Sequence, residues 1–136
     1  MELEGKAAIV TGAGTGVGRQ TALQLADSGC SVLLDYGRSG EGAEATAEEC
    51  ERRGVRAIAV RADVSNDDDC RAMVAEASKA FGRLDVLVNN AGQSKFVAHD
   101  DLEGLDAEDC RPRLPARRRR HDLDLKERPC RKPRPF

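Results

Sequence analysis

Thr11-Gly12-Ala13-Gly14-Thr15-Gly16-Val17-Gly18 is the stretch on which the reading of the fold depends. The apolar run Lys6-Ala7-Ala8-Ile9-Val10 precedes it, bounded by Gly5 and short enough for a buried strand. Residues 19–26 follow it, rich in helix formers, with Ala22, Leu25 and Ala26 at helical spacing. A strand, a glycine turn and a helix in that order set the helix's first turn over the end of the strand. Its unpaired backbone N–H groups then converge on one spot, where a diphosphate can sit. Gly12 lets the chain turn sharply, Gly16 lets the backbone approach the phosphates, and Gly18 lets the helix pack closely. A turn that merely needs positive φ would not require a strand before it and a helix after it.

The spacing Thr11-Gly12-x-x-x-Gly16-x-Gly18 differs from the G-x-G-x-x-G of most dinucleotide domains. It resembles the T-G-x-x-x-G-x-G of the short-chain dehydrogenase/reductase family, with a flavour similar to 3-oxoacyl-carrier-protein reductases and to sugar or steroid dehydrogenases. Asn89-Asn90-Ala91-Gly92, closing the run Leu84-Asp85-Val86-Leu87-Val88, resembles that family's N-N-A-G at the end of the fourth strand. Asp63-Val64, after Ala57-Ile58-Ala59-Val60-Arg61, resembles its D-V pair after the third. The resemblance runs from about residue 3 to residue 109 and implies the first half of such a protein. It implies a Rossmann-like α/β fold: a doubly wound parallel sheet of order 3-2-1-4, truncated after the fourth strand, with an irregular tail. In the glycine turn it implies cofactor contacts from Gly12, Thr15, Gly16, Val17 and Gly18.

Composition sets the other bounds. The 136 residues allow one domain, and no apolar run reaches the roughly 18 residues of a membrane span. With no signal-peptide pattern at Met1, a soluble cytoplasmic protein is expected. The five cysteines (Cys30, Cys50, Cys70, Cys110, Cys130) form no C-x-x-C pair and do not cluster with His99 or His121. Unpaired thiols in a reducing compartment, without a structural metal, are the simpler account. Residues 1–109 carry 11 Lys and Arg against 21 Asp and Glu, a balance of −10; residues 110–136 carry 11 against 3, a balance of +8. All five prolines also lie beyond Cys110. The chain therefore divides into a dinucleotide-binding part, 1–109, and an Arg/Pro-rich tail, 110–136, of the composition expected for disorder or for a GC-rich coding region read out of frame.

Ser31-Val32-Leu33-Leu34-Asp35-Tyr36 reads as the second strand, whose end selects the cofactor in folds of this kind. Asp35 is acidic and about twenty residues past the glycine turn, which argues for NAD through the adenosine ribose hydroxyls. Alignment with the family instead puts Tyr36 at the usual acidic position. The following Gly37-Arg38-Ser39 resembles the ending of NADP-using reductases, where Arg38 and Ser39 would meet the extra phosphate. The balance favours NADP(H).

Residues 40–53 place Ala43, Ala47 and Cys50 on one helical face, and Gly54 ends that helix. A third strand over 55–60 delivers Asp63 and Val64, which in the family meet the adenine; the alternative for Asp63 is a turn or cap. Ser65 or Asn66 is expected to cap a third helix, with Asp67, Asp68 and Asp69 in its first turn for the helix dipole rather than for a cation. Met73, Val74, Ala77, Ala80 and Phe81 form its apolar stripe. A fourth strand over 84–88 leads to Asn89, Asn90, Ala91 and Gly92, which the resemblance sets beside the nicotinamide ribose.

The family's hydride chemistry between a nicotinamide and a small carbonyl or alcohol uses a Tyr, a Lys four residues later and a Ser. The one tyrosine, Tyr36, is followed four residues on by Gly40, so no Y-x-x-x-K is present and no catalytic residue is assigned. The missing strands would leave the fourth strand's outer edge unpaired, and the family's homo-oligomer contacts would be missing with them. Arg117-Arg118-Arg119-Arg120 could meet nucleic acid or an acidic partner. No aromatic interleaving accompanies them, and a solvated tail is the favoured reading. A cofactor sensor that binds without reacting is the remaining alternative.

Overall fold

A computed structural model of the chain describes residues 3–38 and 40–92. Ser39, His99, His121 and the 110–136 tail lie outside the described residues. The order is β1 (Ala7–Val10), α1 (Gly16–Asp27), β2 (Ser31–Tyr36), α2 (Gly40–Glu51), β3 (Ala57–Arg61), α3 (Asp67–Phe81) and β4 (Val86–Val88). The four strands form one parallel sheet in the order β3-β2-β1-β4. Parallel strands need long crossovers, and α1, α2 and α3 supply them.

The pleat sorts the core into two layers. Val10, Val32 and Leu34 pack with Ala22, Leu23 and Ala26 of α1 and Ala47 and Cys50 of α2 on one side. Ala7, Ile9 and Leu33 pack with Met73, Ala77 and Phe81 of α3 on the other. Neighbouring residues along β1 and β2 thus point to opposite faces, both of them covered, which is why these strands are almost unbroken apolar runs. Each fully buried Ile9, Leu33 or Leu34 side chain contributes about 1.5–3 kcal/mol on leaving water.

The helix starts differ in a way that matters for the site. Asn66 caps α3: its side-chain oxygen accepts from the amides of Asp68 and Asp69 at 2.9 and 3.4 Å, while Asp67, Asp68 and Asp69 fill the first turn. Of the two candidate caps the structure selects Asn66, because Ser65 is drawn into a turn with Asp63. Helix α1 has neither device. Thr15 stands at its N-cap without a side-chain bond, and no acidic residue lies in its first turn.

Three expectations are corrected and one, on α1, is extended. Val74 is 42% exposed and outside the α3 stripe, because Met73, Ala77 and Phe81 already fill the space against the sheet. On α1, Leu23 is buried while Leu25 packs at the margin. β3 begins at Ala57, not at 55. The Arg56 guanidinium instead reaches to α3, donating to the carbonyls of Ala80 at 2.5 Å and Phe81 at 3.3 Å. β4 is confined to Val86–Val88: the Asp85 amide still donates to the Ala7 carbonyl at 2.9 Å, but the Ala7 amide turns to the Asp85 carboxylate at 3.0 Å, which also pairs with Arg83. Leu87 is 54% exposed, and among the described residues no strand pairs with the outer side of β4.

Candidate functional site

The chain winds from β1 outward to β3 and then returns past β1 to place β4 on its other side. At such a reversal the loops leaving adjacent strands part company, and a crevice opens beyond their carboxyl ends. Here the loop after β1 is the glycine turn, and the segment after β4 is Asn89-Asn90-Ala91-Gly92. Hydrogen bonds tie the two together. The Thr11 hydroxyl accepts from the amides of Asn90 and Ala91, each at 2.9 Å, and lies 3.3 Å from the Val88 carbonyl to which it donates. The Asn90 carboxamide donates back to the carbonyls of Thr11 at 2.9 Å and Gly12 at 3.1 Å.

Glycine is required on this scaffold for two different reasons. Gly12 turns with φ of 64°, and a Cβ there would stand 2.9 Å from the Ala91 Cα. Gly18, buried in the first turn of α1, has ordinary φ, but a Cβ would collide with the Gly12 carbonyl oxygen and the Asn90 carboxamide. The close packing expected of Gly18 is therefore against the β1 turn and Asn90. Gly16 differs from both: its φ is 54°, and a Cβ would meet nothing within 4 Å. Its open side is the side available to a ligand.

Together these elements border a cleft of about 1110 Å³. Of the residues expected there, Gly12, Thr15, Gly16, Val17, Asp35, Arg38, Asp63, Val64, Asn90, Ala91 and Gly92 line it. Val17 is 75% exposed at its mouth. Gly18 lies behind the lining; Asn89 is exposed away from it; Ser39 is outside the described residues. Tyr36 is half-buried with its ring against Gly40, where a Cβ would stand 3.0 Å from the ring carbon Cζ. The cleft also gathers Gly37, Arg61, Ala62, Ser65 and Asp69, which sequence reasoning missed.

Asp35 sits deeper than a ribose ligand at the strand end would. It is 1% exposed, following Leu33 onto the α3 side of the sheet, and its Oδ2 accepts from the Gly12 amide at 3.4 Å. Its Oδ1 has no hydrogen-bond partner among the described residues. Burial pushes this carboxyl's pKa up; the amides of Gly12 and Ala62 oppose the shift, and Asp63 and Asp69 add to it. Asp63 forms a turn: its Oδ1 accepts from the amide and hydroxyl of Ser65 at 2.9 and 2.6 Å, which lowers its pKa. Its amide donates to Asp69 at 2.9 Å. The carboxylates of Asp63 and Asp69 are thus engaged with the chain itself. No group of three His, Cys, Asp or Glu side chains suited to a metal occurs among the described residues.

The donors present fit a dinucleotide. An uncapped helix start, a glycine backbone open to the cleft and guanidinium groups on the rim suit an anionic ligand with sugar and phosphate groups. The architecture is that of a Rossmann-like nucleotide-binding α/β fold. The profile of the short chain dehydrogenase family matches residues 6–111, and the chain belongs to that family.

Its relatives agree. It is 51% identical over 97 residues to the 3-oxoacyl-[acyl-carrier-protein] reductase FabG of Staphylococcus aureus (strain Mu50), covering 71% of this chain and 38% of that one. The short-chain dehydrogenase/reductase homolog YusS of Bacillus subtilis (strain 168) is 40% identical over 103 residues, covering 76% of this chain and 94% of YusS. Among solved structures, a short chain dehydrogenase from Burkholderia cenocepacia J2315 in complex with NADP superposes with a TM-score of 0.75 at 38% identity, over 84% of this chain and 45% of that one. An NAD+-bound xylitol dehydrogenase superposes at 0.64 with 33% identity, over 68% and 35%. The chain thus spans less than half of the FabG relative and of both solved structures. Among the described residues no helix is long and apolar enough to cross a membrane.

Proposed function

We propose that this chain is the NAD(P)(H)-binding part of a short-chain oxidoreductase, whose family reaction is hydride transfer between a nicotinamide and a small carbonyl or alcohol. The observation that carries this reading is the start of α1, which has no side-chain cap and no acidic residue and lies beside the open face of Gly16. Those first-turn amides and the Gly12–Gly18 turn would hold the pyrophosphate. Asp63 and Val64 would border the adenine; Asn90, Ala91 and Gly92 would border the nicotinamide ribose. Arg38, with Ser39 beside it, favours NADP(H) over NAD(H). The 51% identity to a 3-oxoacyl-[acyl-carrier-protein] reductase supports a carbonyl as the group reduced. The free Cys30, Cys50 and Cys70 support a reducing, cytoplasmic setting.

The 136 residues supply binding and not proton transfer, because they contain one tyrosine and no Tyr-x-x-x-Lys. Binding resides in 1–109, and 110–136 is a separate basic tail. The test is to titrate the full chain with NADPH and NADH, then follow nicotinamide absorbance after adding 3-oxoacyl thioesters. Saturable binding with unchanged absorbance supports both statements. Steady oxidation of the cofactor would refute the catalytic part, and absence of binding would refute the whole.

A further inference from the structure

The rim of the cleft at the end of β2 carries a second cation that the dinucleotide motif does not include. Arg61, the last residue of β3, pairs in register with Tyr36, the last residue of β2. Paired residues in a ladder project to the same face, so the Arg61 side chain lies beside the β2–α2 turn. Its Nε donates to the Gly37 carbonyl at 3.3 Å, one residue before Arg38. That bond uses one of five guanidinium N–H groups and holds the rest at the cleft. Both Arg38 and Arg61 line the cleft and are exposed, and neither pairs with a carboxylate among the described residues. The acidic groups bordering the same cleft are Asp35, Asp63 and Asp69. Asp63 and Asp69 are bound into the turn before α3, and Asp35 lies beneath the glycine turn.

We propose that Arg61 joins Arg38 in a two-guanidinium clamp for a phosphate monoester on the adenosine ribose, making Arg61 a specificity-determining residue for NADP(H). The inference rests on the dinucleotide reading above. Two fixed forks match the charge of about −1.5 to −2 on such a phosphate and its three oxygens. A single exposed arginine would leave that charge half neutralised beside three carboxyl groups.

The test uses the full chain and the variants Arg61→Gln, Arg61→Lys, Arg38→Gln and, as a control away from the cleft, Arg52→Gln. NADPH, NADH, 2′,5′-ADP and 5′-AMP are titrated by calorimetry, and unchanged thermal unfolding verifies that each variant is folded. Arg61→Gln is expected to weaken NADPH and 2′,5′-ADP about tenfold or more, as for loss of a hydrogen bond to a charged group, with NADH and 5′-AMP within about twofold. Arg61→Lys should recover part of the loss, and Arg52→Gln should recover the wild-type ratio. NADPH binding that Arg61→Gln leaves unchanged, or equal weakening of NADPH and NADH, would overturn the clamp while leaving the dinucleotide site intact. Failure of the wild-type chain to bind either cofactor would overturn both.

Discussion

The hydroxyl of Thr11 at the end of β1 and the backbone of Asn90 beyond β4 meet at 2.9 Å, and the Asn90 carboxamide returns a bond of the same length to the Thr11 carbonyl. This reciprocal pair fixes the two sides of the cleft against each other. The Ala91 amide donates to the same hydroxyl and the Asn90 carboxamide also reaches the Gly12 carbonyl, adding to the edge ladder between β1 and the three-residue β4.

Thr11→Val keeps the shape of the side chain but leaves the amides of Asn90 and Ala91 without their acceptor. It is expected to destabilise the chain by about 2 kcal/mol, whereas Thr11→Ser stays within about 0.5 kcal/mol of wild type. Urea unfolding measures both. A Thr11→Val midpoint equal to wild type would show that the hydroxyl is not what joins the loops.

The glycines separate by mechanism. Gly18→Ala forces a methyl group into the Gly12 carbonyl, a backbone atom that cannot yield without moving the turn. It should destabilise by more than about 3 kcal/mol. Gly16→Ala meets open space and carries only the strain of positive φ, about 1 kcal/mol. It should fold and yet bind dinucleotide more weakly, because the methyl group enters the cleft. The paired unfolding and binding measurements fail this account if the two variants behave alike.

Asp35 predicts a dependence on pH. Burial raises its folded pKa above the unfolded value of about 3.9, so the fold favours the protonated carboxyl. The penalty of the buried carboxylate grows as pH rises from the unfolded value through the folded one, and remains at its full size above that. Asp35→Asn keeps an oxygen for the Gly12 amide and removes the charge. Its melting temperature should exceed wild type by more at pH 7.5 than at pH 4. A gain that is equal at both values, or larger at pH 4, would contradict the assignment.

Asp85 has the opposite sign. Its bonds from Arg83 and from the Ala7 amide pull its pKa down to about 2. Its stabilisation is present above the unfolded value of about 3.9 and disappears as pH falls toward 2. Asp85→Asn should flatten the stability curve in that acid window and leave its shape above pH 5 unchanged. Thermal unfolding across the window measures this.

Much of this arrangement is legible in the sequence because the decisive signals are local. The glycine spacing, the apolar runs before and after it, and Gly29, Gly54 and Gly82 at helix ends locate the strands and helices, and the family resemblance that the motifs carry implies the sheet order. What remains hidden is set by neighbours distant in the chain. Residues 31–36 lie in a strand covered on both faces, so no polar alternation marks Asp35 as inward and Tyr36 as facing α2. Arg61 is an ordinary strand-end arginine until the ladder sets it opposite Tyr36. Thr11 opens the motif, yet its role depends on amides nearly eighty residues away. Val74 obeys the helical period and is exposed, because period alone does not say how wide the sheet beneath α3 is.

The central claim is that the amides of the Gly12–Gly18 turn and the uncapped start of α1 receive the dinucleotide pyrophosphate. Amide-resolved NMR of the isotopically labelled full chain, titrated with NADPH, tests it most directly. Saturable shifts concentrated at Gly12, Thr15, Gly16, Val17 and Gly18, with α3 amides such as Ala77 unmoved, are the predicted result. Shifts that bypass these five amides, or none at all with excess cofactor, would contradict it.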